Sequence, residues 1–256
     1  MLQAERTIVA NISTDINTYN TSILVDGCRE MGISLSEKQL DQFVQYYQLL
    51  YEKNKVMNLT AVTEWEEVQV KHYLDSLLLC RATDLSESLY VLDLGTGAGF
   101  PGIPLKIAFP NLNIVLADSL QKRILFLDEV ISALGLTGIR TVHGRAEDLG
   151  KQNDFRESFD LTVSRAVANL SSLSEYCLPF VKTGGSFISY KSAEVAAEVE
   201  QAEKAVRILG GSKPAVTALP LPKTQMVRTF VMIQKEKSTP AKYPRKAGTP
   251  SRDPLS

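Results

Sequence analysis

The chain has 256 residues, with 44% hydrophobic and 22% charged side chains, 15 glycines and 11 prolines. That balance suits a compact fold and excludes collagen-like or proline-driven disordered chains. The formal charge of -1 hides a gradient: residues 1–90 carry net -6, residues 91–233 net +1 and residues 234–256 net +4.

A polyanion responds to a local basic patch rather than to the total charge. Three widely spaced cysteines make no disulfide framework, and His72 and His143 join them in no familiar zinc spacing, so no metal site is expected. The first residues contain no apolar stretch of signal-peptide length, and no run of about 18 apolar residues occurs anywhere. These features lead to the expectation of a cytoplasmic chain with no membrane partner.

Residues 1–22 show no sustained period. Ser36 sits three residues before Gln39 as a capping-box pair, and Leu40, Phe43, Tyr47, Leu50 and Tyr51 then recur at helical spacing. Thr63 with Glu66 marks a second helix start, leading into Val68, His72, Leu74, Asp75 and Leu78. NKVMNLTAV between them reads as an irregular connection.

From Leu89 the pattern changes to short apolar runs: LYVLDL, NIVLA, IRTVH, FDLTVS and GSFISY. Helical segments separate most of them, roughly at 102–109, 120–134, 170–181 and 193–209. Such alternation predicts parallel strands with crossover helices. The last two runs, KPAVTALP and VRTFVMIQK, are joined only by LPKTQM, which suits an antiparallel hairpin. The reading is an α/β fold with a mostly parallel seven-stranded sheet and a terminal hairpin. It divides into a helical region over 1–85, a sheet domain over 86–235 and a basic, Pro-rich arm over 236–256.

VLDLGTGAGFPG places Gly95, Gly97 and Gly99 in a turn between the first strand and its helix, where a ligand can approach the backbone. The G-x-G-x-G spacing departs from the dinucleotide fingerprint, and the absence of G-K-[ST] excludes a P-loop. A pyrophosphate wants amides with no acid nearby, whereas a methionine-like ammonium wants a carboxylate. Asp93, closing the first strand, supplies one and can bond either to the glycine loop or to a ligand amine. Asp118, after the second strand, is placed to accept ribose hydroxyls. S-adenosylmethionine therefore fits this turn better than NAD.

DLGTGAGFPGIPLKI, DSLQKRILFL, HGRAEDL and VSRAVANL, with VQVKHYLDSL before them and YPRKAGTPSRDPL at the end, resemble the bacterial glucose-inhibited-division-B family. The resemblance covers residues 36–256. It implies a Rossmann-like class I S-adenosylmethionine-dependent methyltransferase acting on N7 of guanine 527 in 16S ribosomal RNA, with the RNA or the small ribosomal subunit as partner; a monomer is the expectation, though the sequence does not fix the oligomeric state. It also implies that Gly95, Phe100, Ala146, Glu147 and Arg165 contact the cofactor, beside Asp93, Gly97 and Asp118 from the residues themselves. Residues 1–30 exceed the family's usual lead-in and receive no role.

Several residues keep two readings. Glu147 either lines an adenine pocket or is a helix-start acid. Arg165 holds a guanine O6, a phosphate or the cofactor, because donation to N7 would compete with methylation. His72 is favoured as a packing clip over a catalytic base, since N7 alkylation releases no proton from N7. Cys177 reads as core. Lys191, Arg228, Lys242, Arg245 and Lys246 are expected RNA contacts, the last three interleaved with Tyr243 as a possible base stack. Two rival functions stay open: a class I methyltransferase acting on a small molecule or protein, and a non-catalytic RNA-binding ribosome-assembly factor.

Overall fold

The computed structural model describes residues 19–165, 168–192 and 194–255; the reading of residues 1–18 lies outside them. Three helical segments come first. Helix α1 (Ser22–Glu30) was not expected from the sequence: it is only nine residues long, and it forms by burying Leu24, Gly27 and Cys28 on its neighbours. Helix α2 (Glu37–Met57) starts at the expected capping box, with both Ser36–Gln39 bonds present. Helix α3 (residues 65–81) changes pitch along its length, with a wide π turn over Gln69–Leu74 and a tight end over Leu78–Arg81. The Thr63 start does not form as read, because Glu64 is the N-cap and makes no side-chain cap bond.

The sheet follows: β1 (Tyr90–Leu94), β2 (Asn113–Asp118), β3 (Ile139–His143), β4 (Phe159–Ser164), β5 (Val181–Lys191), β6 (Ala215–Pro220) and β7 (Val227–Gln234). Their spatial order is β3-β2-β1-β4-β5-β7-β6. The first five pair in parallel, and β7 pairs antiparallel with both β5 and β6. The strand order reverses between β1 and β4, the crevice where open α/β sheets bind ligands. Crossover helices are α4 (Gly102–Ala108), α5 (Gln121–Ala133), the single turn α6 (Ala146–Leu149), α7 (Leu170–Cys177) and α8 (Ala196–Ile208).

Successive strand residues face opposite layers. Val91, Ile114, Leu116 and Val163 join α1–α5 in one core, while Leu92, Val115, Ala117 and Val231 join α7 and α8 in the other. Both faces of the central strands are thus covered, which is why their text lacks polar alternation. The helical region is continuous with the first core and does not pack separately from the sheet. Cys177 is fully buried in the second core, and burial pushes its thiol well above its usual range.

Of the readings open for the basic arm, a disordered tail or an arm lying over the domain, the described part of it takes the second. Thr239, Tyr243 and Pro250 are buried, and a short helix α9 (Thr249–Arg252) sits against α7. Low apolar content did not leave this segment loose, because its bonds are made by backbone groups and buried charges of the sheet domain.

Candidate active site at the glycine turn

The turn after β1 is fixed from two sides. Gly95 N and Thr96 N donate to Ala117 O at the end of β2, and Tyr46 of α2 donates its hydroxyl to Ala98 O at 2.6 Å. Gly95, Gly97 and Gly99 all have positive φ, the region in which glycine carries little penalty. At Gly97 a Cβ would meet nothing within 4 Å, so the turn keeps open space there.

Of the two partners open to Asp93, the glycine loop and a ligand amine, the structure shows the first. It is fully enclosed beneath the turn, where Oδ2 accepts from Thr96 Oγ1 at 2.6 Å and Gly102 N at 2.8 Å. Its position inside the sheet, paired with Leu116 and Val163, decides this. Among the described residues Oδ1 has no partner. Burial drives its carboxyl up to about 6. An orphaned buried acceptor of this kind favours a cationic group or donor above the turn.

A cavity of about 360 Å³ opens beside the turn at the carboxyl edge of the sheet. Gly95, Asp118, Ala146, Glu147 and Tyr176 line it, joined by Gly248 and Ser251 from the chain's end. That volume suits a nucleoside-sized ligand. Asp118 is nearly buried; its Oδ2 accepts from Gly97 N at 3.0 Å and pairs with Arg123 at 3.2 Å, while Oδ1 accepts from Leu120 N at 2.9 Å. Its carboxylate therefore ties the glycine turn to α5 at the cavity wall. Ala146 opens α6 here. Glu147 is also buried, and its Oε1 accepts from Gly248 N at 2.7 Å. A larger depression, about 550 Å³ beside the β3 edge, contains none of the expected site residues.

Phe100 and Arg165 face another way. The Phe100 ring stacks on His72 at 4.4 Å, and the Arg165 guanidinium lies 5.0 Å from the Phe100 centroid. Arg165 donates to Asp75 Oδ2 at 2.8 Å and to Lys71 O at 3.2 Å. Arg228 donates its Nε to the other oxygen of Asp75, which has no exposed surface. One buried carboxylate on α3 thus holds two guanidinium groups from the ends of β4 and β7. Arg165 and Phe100 do not line the 360 Å³ cavity. The π turn carries His72, whose Nε2 lies 2.8 Å from Thr60 Oγ1. Burial first, then Arg165, holds its ring down at about 3, so it stays neutral at physiological pH.

The expected RNA contacts divide. Lys191 is committed inward, donating to Ala168 O and Glu198 Oε1 at 2.7 Å each, with 10% of its side chain exposed. Arg228 is committed to Asp75. Arg245 pairs with buried Glu175 at 2.7 Å and with Asp253. These three are corrections, because each cation answers a carboxylate that would otherwise lie uncompensated. Tyr243 is buried, so it presents no face for a base. Lys242 and Lys246 remain exposed. The sequence reading missed Asp75, Glu175, Gly248 and Ser251 as site-shaping residues; only the quoted end segment YPRKAGTPSRDPL signalled the last two. Among the described residues no cluster of three or more metal-type ligands occurs, and no helix is long and apolar enough to cross a membrane.

Residues 39–227 match the family model for the rRNA small subunit methyltransferase G. A "Ribosomal RNA small subunit methyltransferase G" of Lachnoclostridium phytofermentans is 53% identical over 236 residues, covering 92% of this chain and 98% of its own. The protein of that name from Alkaliphilus metalliredigens is 48% identical over 233 residues, covering 91% and 98%. Among solved structures, the S-adenosylmethionine-dependent methyltransferase SibL in its apo form aligns with a TM-score of 0.51 at 17% identity, over 78% of this chain and 74% of that one. A methyltransferase from Pyrococcus furiosus gives 0.51 at 12% identity, over 76% and 97%. These two likenesses establish the class I methyltransferase fold.

Proposed function

Because this chain belongs to the rRNA small subunit methyltransferase G family, we propose that it transfers the methyl group of S-adenosylmethionine to N7 of a guanine, guanine 527, in 16S ribosomal RNA. The observation that carries the cofactor half is the cavity bounded by Gly95, Asp118 and Glu147 beside a turn with an orphaned carboxylate oxygen beneath it. When bound, the cofactor supplies an electrophilic methyl on a sulfonium.

The residues then have separable tasks. Asp118 fixes the glycine turn through Gly97 and offers its carboxylate to ribose hydroxyls. Asp93 holds the turn from below through Thr96 and Gly102. Guanine N7 attacks with its own lone pair, so alignment matters more than a base. Neutral His72, stacked on Phe100 and bonded to Thr60, positions that ring and takes no proton. Arg165 shares the single charge of Asp75 with Arg228, which favours a phosphate or guanine O6 at Arg165.

Incubation with methyl-labelled cofactor and cell RNA, protein and metabolites tests the reading. Label on N7 of a single guanine in 16S RNA is expected. Label in protein or metabolites would replace it with the first rival, and cofactor binding without transfer with the assembly-factor reading.

A further inference from the structure

The chain's last segment is held to the fold by carboxylates that have almost no access to water. Glu175 of α7 is 1% exposed and accepts from Arg245 N at 2.8 Å and from its guanidinium at 2.7–3.1 Å. Glu147 of α6 is 6% exposed and accepts from Gly248 N. Two buried acids are therefore answered by one four-residue stretch, and a buried carboxylate left unanswered is costly. Two more fastenings flank the stretch: Arg156 donates to Thr239 O and Tyr243 O at 2.7 and 2.9 Å, and Ser172 Oγ donates to Pro250 O at 2.7 Å. The segment so held places Gly248 and Ser251 in the wall of the cavity that also contains Asp118 and Glu147.

We propose that residues 239–253 form a clasp over the cofactor cavity, with Arg245 a positioning residue that acts through Glu175 to set Gly248 and Ser251 against the bound cofactor. The proposal rests on reading this cavity as the S-adenosylmethionine site. It assigns Arg245 to the cofactor side of the reaction rather than to RNA capture. A ligand that fits only the closed cavity shifts the clasp toward closure, and by linkage an unfastened clasp weakens that ligand.

Two measurements on the full chain test it, with S-adenosylhomocysteine as the probe. In calorimetry, Arg245→Ala is expected to weaken binding by about tenfold or more. Arg245→Lys should recover part of the loss, because an ammonium pairs with Glu175 without the guanidinium fork. Joint replacement of Lys242 and Lys246 by Ala should leave the affinity unchanged. In limited trypsin digestion read by mass spectrometry, the probe should slow wild-type cleavage after Lys242 and Lys246 but not after Lys223 in the β6–β7 turn. Wild-type affinity in Arg245→Ala, or clasp cleavage indifferent to the probe, overturns the clasp. Failure of the wild type to bind the probe instead overturns the cofactor reading beneath it. Should Arg245→Ala not fold, the wild-type digestion decides alone.

Discussion

Asp75 has no exposed surface, yet its two oxygens hold guanidinium groups that the chain delivers 90 and 153 residues later. Removing it leaves two adjacent, half-buried cations facing each other. Asp75→Ala should therefore cost about 3 kcal/mol in urea unfolding, the lower end for a broken buried pair because both arginines keep some access to water. A loss below about 1 kcal/mol, the worth of a surface pair, would contradict the arrangement. His72 lies on the preceding turn and gives a pH dependence whose sign is fixed. Its ring titrates at about 3 in the fold and near 6.5 when unfolded. Between those values the unfolded chain takes up a proton that the folded chain refuses. Stability falls as pH drops below about 6.5, by up to about 1.4 kcal/mol per unit. Urea unfolding of wild type and His72→Gln at pH 7.5 and pH 5 checks this: the wild type's advantage should shrink at pH 5, and an equal gap at both values would refute it. The sequence placed His72 in a helical stretch, and a reaction that needs no base favoured packing for it. It gave no sign that Asp75 would meet two arginines, because that meeting depends on where β4 and β7 end.

The glycine turn behaves as one unit whose members differ in what surrounds them. At Gly97 the added methyl of an Ala enters open space, so the loss comes from the left-handed backbone, about 1–2 kcal/mol. At Gly99 the same methyl would also meet Tyr46 Oη and Ile103 Cδ1 at 2.7 Å. Thermal unfolding should accordingly rank Gly99→Ala as the less stable variant. Gly97→Ala should lose S-adenosylhomocysteine affinity while staying folded. The reverse stability order would mean that α2 does not support the turn. Elements with strong local signals, such as α2 with its capping box and the five parallel strands, were legible in advance. Helix α1 and the Thr63 start were not, since a nine-residue helix and an unmade cap leave little periodicity to read.

For the whole molecule, the charge gradient remains relevant to RNA, but fewer groups carry it than the composition implied. Arg228, Arg245 and Lys191 answer internal carboxylates, leaving Lys242 and Lys246 as the exposed pair of the expected set. Replacing both by Ala should lower the salt dependence of RNA binding by about two phosphate contacts at most. Binding measured across a salt series checks it, and an unchanged slope would exclude both lysines from the interface.

The order of strands and helices, the glycine turn and its flanking acids were set down by the sequence itself, because apolar period, glycine spacing and turn chemistry act over a few neighbouring residues. Which way the acids and cations point was decided only in the tertiary structure. Asp93 is turned under the loop by its place in a central strand, Glu147 and Glu175 are turned to the chain's end, and the basic tail becomes part of the cavity wall. Apart from Asp93, whose partners are local, these outcomes are set by hydrogen bonds and a charge pair between segments far apart in sequence, and no local pattern encodes which buried carboxylate a distant arginine or backbone amide will reach.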